Sequence, residues 1–172
     1  LYLDKILIHQ APSLALGNAK KELLHMGGYA FKSFELAYDY IINHEEKAAE
    51  KGHKTEEAIN AIDDELTRYL IALSGEQLSQ KESEILTNIL DSSRDLERIG
   101  DHSEALINLT DYLLRKKVTF SPAALEELEK IYHMTLEFIK EALTSVETND
   151  VELANNLTAK HEAIDKLERK LR

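Results

Sequence analysis

The chain has 172 residues, 43% of them hydrophobic, with a formal net charge of -11, six glycines, two prolines and no cysteine. That length can build a sizeable core, and so few glycines and prolines leave little material for sheet turns or linkers, which favours helices. Without cysteine there are no disulfides and no thiolate metal sites, so any metal falls to carboxylates, imidazoles and water, and the acidity argues against nucleic acid as a partner because phosphate backbones need dense Lys/Arg patches.

The chain opens "LYLDKILIHQAP", apolar and without an initiator methionine, and reads as the exit of a preceding segment. No run approaches the ~18 apolar residues of a membrane span. After Pro12, Ser13 can cap a first helix with Leu16, Leu23, Ala30 and Ile41 on one face, running to about Glu50, with Gly52 as its breaker. Thr55 opens a second helix with Ile59, Ile62, Leu66, Tyr69 and Leu73 inward, closed by "SGEQ". Ser79 and Glu82 have capping-box spacing and start a third, with Ile85, Ile89, Ser93, Leu96, Gly100 and Ile107 on its inner face. Ser121 before Pro122 starts a fourth, with Leu125, Tyr132, Ile139 and Val146 inward. Asn149 and Asp150 separate it from a fifth, with Leu153, Leu157, Ile164 and Leu171 inward. No strand signal competes.

A shift of 105 residues lays "EAIN" (Glu57 to Asn60) on "EAID" (Glu162 to Asp165), and without a gap also lays Met26 on Ile131 and Phe34 on Ile139. The first helix then maps to the fourth and the second to the fifth, an internal repeat with few identities. The counterpart of the third helix would fall past Arg172.

On the third helix Glu97 and Asp101 stand four apart, on one face with Cβ atoms ~5–6 Å from each other, away from the stripe through Leu96 and Gly100. On the second, Glu56, Asn60 and Asp63 lie to one side of Ile62, so two helices can offer oxygen ligands to one surface. The same spacing also describes an ordinary solvated face in a chain with 32 acidic residues. Gly100 costs ~1 kcal/mol relative to alanine inside a helix, and its simplest role is close helix approach, with Ser93 and Ser103 beside it. "ELLH" (Glu22 to His25) has the spacing of a di-iron bundle motif but lacks the second copy such sites need. There is no phosphate loop, catalytic triad or cysteine nucleophile.

"DLERIGDHS" (Asp95 to Ser103), with the two-fold helical repeat, resembles the signature of the PhoU family of phosphate-uptake regulators, which falls on the third helix of each three-helix unit. "YLD", "APSLAL" and "KKELLHMGGYA" near the start further resemble the PhoU-like cytoplasmic tail of bacterial sodium/phosphate cotransporters. The resemblance implies an all-α fold of tandem three-helix bundles, the second incomplete. Residues 1–12 would follow a membrane domain, 13–120 form the first bundle, and 121–172 supply the fourth and fifth helices. It also implies metal binding, of iron, zinc or another divalent ion, by acidic E/D-x-x-x-D motifs. Glu97 and Asp101 match one motif directly; at Glu56 and Asn60 an amide replaces the second acid, and at His161 and Asp165 an imidazole replaces the first.

The function so implied is the cytoplasmic regulatory domain of a sodium-dependent phosphate cotransporter, at the cytoplasmic face of the inner membrane. It would act by protein contact on the transporter membrane domain in cis, not by catalysis. The alternative is a free-standing PhoU-type regulator that binds a phosphate transporter or sensor kinase in trans; a homo-oligomer fits either. More distant are a di-iron carboxylate enzyme and a purely structural helical module.

Overall fold

The computed structural model describes residues 2–171, and among them every regular element is helical. The elements are α1 (Lys5–Gln10), α2 (Pro12–Asn43), α3 (Glu46–Ser74), α4 (Gln80–Arg115), α5 (Pro122–Thr148) and α6 (Val151–Leu171). The five long helices correspond to those read from periodicity. The sixth, α1, lies in the opening stretch: the Asp4 side chain accepts the Ile6 N–H at 2.9 Å to start it, and Pro12, which lacks an N–H and restricts the residue before it, stops it at Ala11.

The first break falls earlier than expected. α2 ends at Asn43 because His44 adopts the left-handed conformation (φ 57°), with its N–H on the Tyr40 carbonyl at 3.0 Å. Gly52 is a regular, buried residue of α3, where an added Cβ would come within 2.3 Å of Ile107 Cδ1. That glycine therefore serves contact between α3 and α4, not a turn. The capping box at Ser79 and Glu82 forms as its spacing requires, and Ser121 caps α5 with Pro122 in its first turn.

α2, α3 and α4 pack mutually into a three-helix body around Met26, Ile59, Leu66, Leu70, Leu73 and Ile107, all essentially inaccessible. One inward position on α4 moves: Leu86 is buried where Ile85 was expected, and Ile85 is exposed. α1 lies across α2 and α3, with Ile8 buried, His9 Nδ1 2.6 Å from Glu76 Oε1, and the Tyr69 hydroxyl donating to the Asp4 carbonyl at 3.0 Å. α5 packs on α2, and α6 packs only on α5. At the α2–α5 contact Leu143 sits where a Cβ on Gly27 would be, and Tyr132 stacks on Tyr38 with ring centroids 3.6 Å apart.

Candidate functional site

The expected acidic residues of the second and third predicted helices come together along the line where α3 meets α4. On α3 the positions are Glu56, Asn60 and Asp63, successive turns of one face; on α4 they are Glu97 and Asp101, likewise spaced. Gly100 explains how the backbones come so close. A Cβ there would stand 3.0 Å from Ile59 Cδ1, so the isoleucine side chain occupies the space a larger residue would need. Ser93, fully buried, donates its hydroxyl to the Asp63 carboxylate, and Ser103 returns its hydroxyl to the Ile99 carbonyl at 2.7 Å. The small residues thus set the helix spacing and tie down one acid.

The seam runs along the flank of the body, with its α3 side more deeply set than its α4 side. Glu56 is only 8% exposed, and Glu97 is half-buried while Asp101 and Asn60 are open to solvent. Asn60 turns its amide nitrogen onto Glu56 Oε1. Burial raises the Glu56 carboxyl above the usual carboxylate range, the charge of Glu104 adds to the rise, and the Asn60 bond partly opposes it. Glu97 is raised likewise, by burial first and then by Asp101, Asp63 and Glu56. Glu56 thus feels the charges of Glu104 and Asp101, and Glu97 those of Asp101, Asp63 and Glu56.

His53 and Glu104, which the motif spacing did not single out, extend the seam by one turn: His53 Nδ1 lies 2.9 Å from Glu104 Oε1, joining α3 to α4. Both were reachable from the sequence, His53 being three residues before Glu56 and Glu104 three after Asp101 on the same faces. The other predicted pair stands apart. His161 Nδ1 and Asp165 Oδ2 are 3.3 Å from each other on exposed α6, with the Phe138 ring edge on the imidazole, and α6 touches neither α3 nor α4.

As a metal centre the donor set is partial. Among the described residues no three His, Asp or Glu side chains converge on a point where they could hold one ion, and Asn60 presents its donor, not its carbonyl, to Glu56. Glu97 and Asp101 remain as two oxygen donors on adjacent turns. The seam is a concentrated negative strip with no nucleophile and no anion-binding loop.

Glu22 of the "ELLH" stretch has a different role from a metal ligand. It is fully buried, accepts the backbone N–H of Tyr2 at 2.6 Å, and lies 3.1 Å from His25 Nδ1, so it fastens the opening segment to α2.

Comparison with known proteins gives the seam its context. The PhoU domain model matches residues 23–110, just over half of the chain, and this span holds most of α2, all of α3 and most of α4. The chain belongs to the PhoU domain family. YjbB of Escherichia coli strain K12, named as an inorganic phosphate export protein, is 28% identical over 147 residues, covering 85% of this chain and 27% of YjbB. PhoU homolog 1 of Thermotoga maritima, named as a phosphate-specific transport system accessory protein, is 34% identical over 92 residues, 54% of this chain and 39% of that protein. The chain thus spans about a quarter of the length of YjbB and well under half of the Thermotoga protein. No solved structure matches, and among the described residues no helix is long and apolar enough to cross a membrane.

Proposed function

We propose that this chain regulates phosphate movement by binding a phosphate transporter or its sensor kinase in trans, through contact and without catalysis. The observation that carries the reading is the PhoU match over 23–110, the span that builds the α3–α4 seam, together with an accessory protein of phosphate-specific transport among the relatives. The seam's charge agrees with it. Carboxylates raised by burial and then by one another's charge repel free phosphate, whereas a basic segment of a partner protein would relieve that repulsion.

Within this reading Glu97 and Asp101 are the residues that face the partner, with Glu56 and Asn60 behind them. A divalent ion such as iron or zinc would sit at the same two carboxylates and complete its shell with water. His161 and Asp165 form a lesser pair on α6. The test is phosphate flux in cells that make the transporter with the wild-type chain or with Glu97→Gln/Asp101→Asn. The wild type should alter flux and the double variant should lose that effect; a flux indifferent to both would overturn the proposal.

A second reading is favoured by one specific observation, the extent of the YjbB match. The relative carries nearly three-quarters of its length outside the aligned region, so the same module can regulate in cis, as part of a phosphate-moving protein such as a sodium/phosphate cotransporter at the cytoplasmic face of the inner membrane. Full-length parent protein lacking this region should then show altered transport, restored by covalent attachment but not by the separate chain.

A further inference from the structure

We propose that the outward face at the end of α4, with the link that follows it, docks on an anionic lipid bilayer. At ~100° per residue, Leu109, Tyr112 and Lys116 share a narrow arc of the helix, turned away from the arc of Ile107 and Thr110 that enters the core. Leu109 and Tyr112 are 52% and 51% exposed, and in the link Val118 and Phe120 are 52% and 46% exposed. An ordinary surface helix carries polar residues on the face opposite its core. Here the last turns of α4 are apolar on both.

The charges between these side chains are the second observation. Arg115, Lys116 and Lys117 are consecutive and exposed, and among the described residues none of them forms an ion pair with a carboxylate, although the chain as a whole carries -11. Lys116 instead places its ammonium 5.8 Å from the centre of the Tyr112 ring. The turn itself is tightly held. Lys117 adopts the left-handed conformation (φ 55°), its N–H bonds the Leu114 carbonyl and the Val118 N–H bonds the Leu113 carbonyl, both at 3.0 Å. That is the two-bond helix stop usually made with glycine, and here its left-handed position carries a lysine.

Aromatic and aliphatic side chains interleaved with unpaired cations fit the boundary between lipid headgroups and acyl chains: the rings and methyls enter the boundary while the cations meet phosphate and carboxylate headgroups. The acidic surface is repelled by the same bilayer, which confines the contact to basic faces; exposed cations also stand at the end of α6, at Lys166, Arg169 and Lys170, but the end of α4 joins its cations to exposed apolar and aromatic side chains. An acidic protein segment would satisfy the cations, but it has less use for apolar side chains set among them.

The test is flotation of the chain with vesicles of phosphatidylglycerol and, separately, of phosphatidylcholine. Binding to phosphatidylglycerol only is expected, weakening as salt rises. Replacing Arg115, Lys116 and Lys117 together by Gln should lower that binding by about tenfold or more. Val118→Ser/Phe120→Ser, outside any helix and therefore neutral for folding, should lower it at low and high salt alike. Equal flotation with both lipids would overturn the proposal, as would equal flotation of the wild type and the triple Gln variant. So would no flotation at all, and in that case salt-sensitive capture of an acidic peptide through the same cations would reassign the face to a protein partner.

Discussion

The body formed by α2, α3 and α4 and the hairpin formed by α5 and α6 carry similar sequence patterns and reach very different degrees of burial. α5 is the most sharply amphipathic of the long helices, yet it buries only Ile139 and Ser145, and α6 buries nothing. α3, whose pattern is weaker, buries ten residues. The difference teaches that periodicity specifies which face of a helix seeks cover, while cover itself depends on how many helices arrive. α3 is flanked by α1, α2 and α4, whereas α6 has α5 alone.

The largest test of that contrast removes one leucine from each region. Leu66 on α3 is fully buried, and Leu66→Ala should destabilise by about 2–5 kcal/mol through lost contact and a residual cavity. Leu157 on α6 is half-buried, and Leu157→Ala should cost under about 1 kcal/mol. Urea melts of the two variants measure it, and native-state hydrogen exchange should find the amides of α6 opening at lower free energy than those of α3. Equal losses would mean that the hairpin is as tightly integrated as the body.

Glycines sharpen the same comparison. Gly100→Leu should destabilise by about 1–3 kcal/mol despite leucine's better helix propensity, because Ile59 already fills the space next to Gly100. Gly17, on the exposed side of α2, has no atom within 4 Å of its would-be Cβ, so Gly17→Ala should gain about 0.5–1 kcal/mol. A stability gain at Gly100 in a denaturant melt would remove the close contact between α3 and α4 from the account.

These same residues show what could be read in the sequence and what could not. The five long helices and most of their inner faces followed from the period, though not the short α1 or the inward Leu86, and the caps at Ser79 and Ser121 followed from their residue types, since each depends on neighbours a few positions away. The break at His44 did not, because a left-handed non-glycine residue leaves little local signal, and Gly52, the stronger signal, answers instead to Ile107, more than fifty positions along the chain. The site divides in the same way. That Glu97 and Asp101 share a face is a fact of one helix; that Glu56 sinks to 8% exposure and that His53 reaches Glu104 are facts of how two helices cross.

A pH scan separates the seam from the body's start and end. Glu56 and Glu97 have raised pKa values, so the folded state binds their protons more tightly than the unfolded chain: the stability they contribute is full below their ordinary value of 4.5 and is lost as pH rises through the raised values. Glu82 has the opposite sign. Bonded by Ser13 and Ser79, it is lowered to about 2, and its contribution, present above 4.5, is lost as pH falls toward that value. At the alkaline end Tyr40, whose hydroxyl bonds Asp111, is pushed up to about 12, so stability should decline as pH rises past 10. Wild type should therefore gain stability on mild acidification before losing it, and Glu97→Gln should flatten the gain without moving the loss; a gain unchanged in that variant would place its source elsewhere.

The smallest expected effect distinguishes a working seam from an ordinary acidic surface. Asp101 is exposed and adds to the charge that raises Glu97. Asp101→Asn should by itself stabilise the chain by about 0.2–0.5 kcal/mol, because it removes a like charge one turn from Glu97. A divalent cation bound at Glu97 and Asp101 would offset the same repulsion in the wild type, and by linkage it would stabilise the folded chain in proportion to its occupancy. Glu56, Asp63 and Glu104 are already engaged by Asn60, Ser93 and His53, which leaves Glu97 and Asp101 as the pair most open to an ion, so binding should be weak, and it should weaken further when one of the two becomes an amide. Calorimetric titration with zinc and with iron(II), combined with melts at the same metal concentrations, reads both quantities. A larger heat and a larger metal-induced shift in the wild type than in Asp101→Asn would make the seam a cation site. Equal, negligible heats in the two, with the variant simply more stable, would leave Glu97 and Asp101 as surface acids whose charge serves protein contact alone.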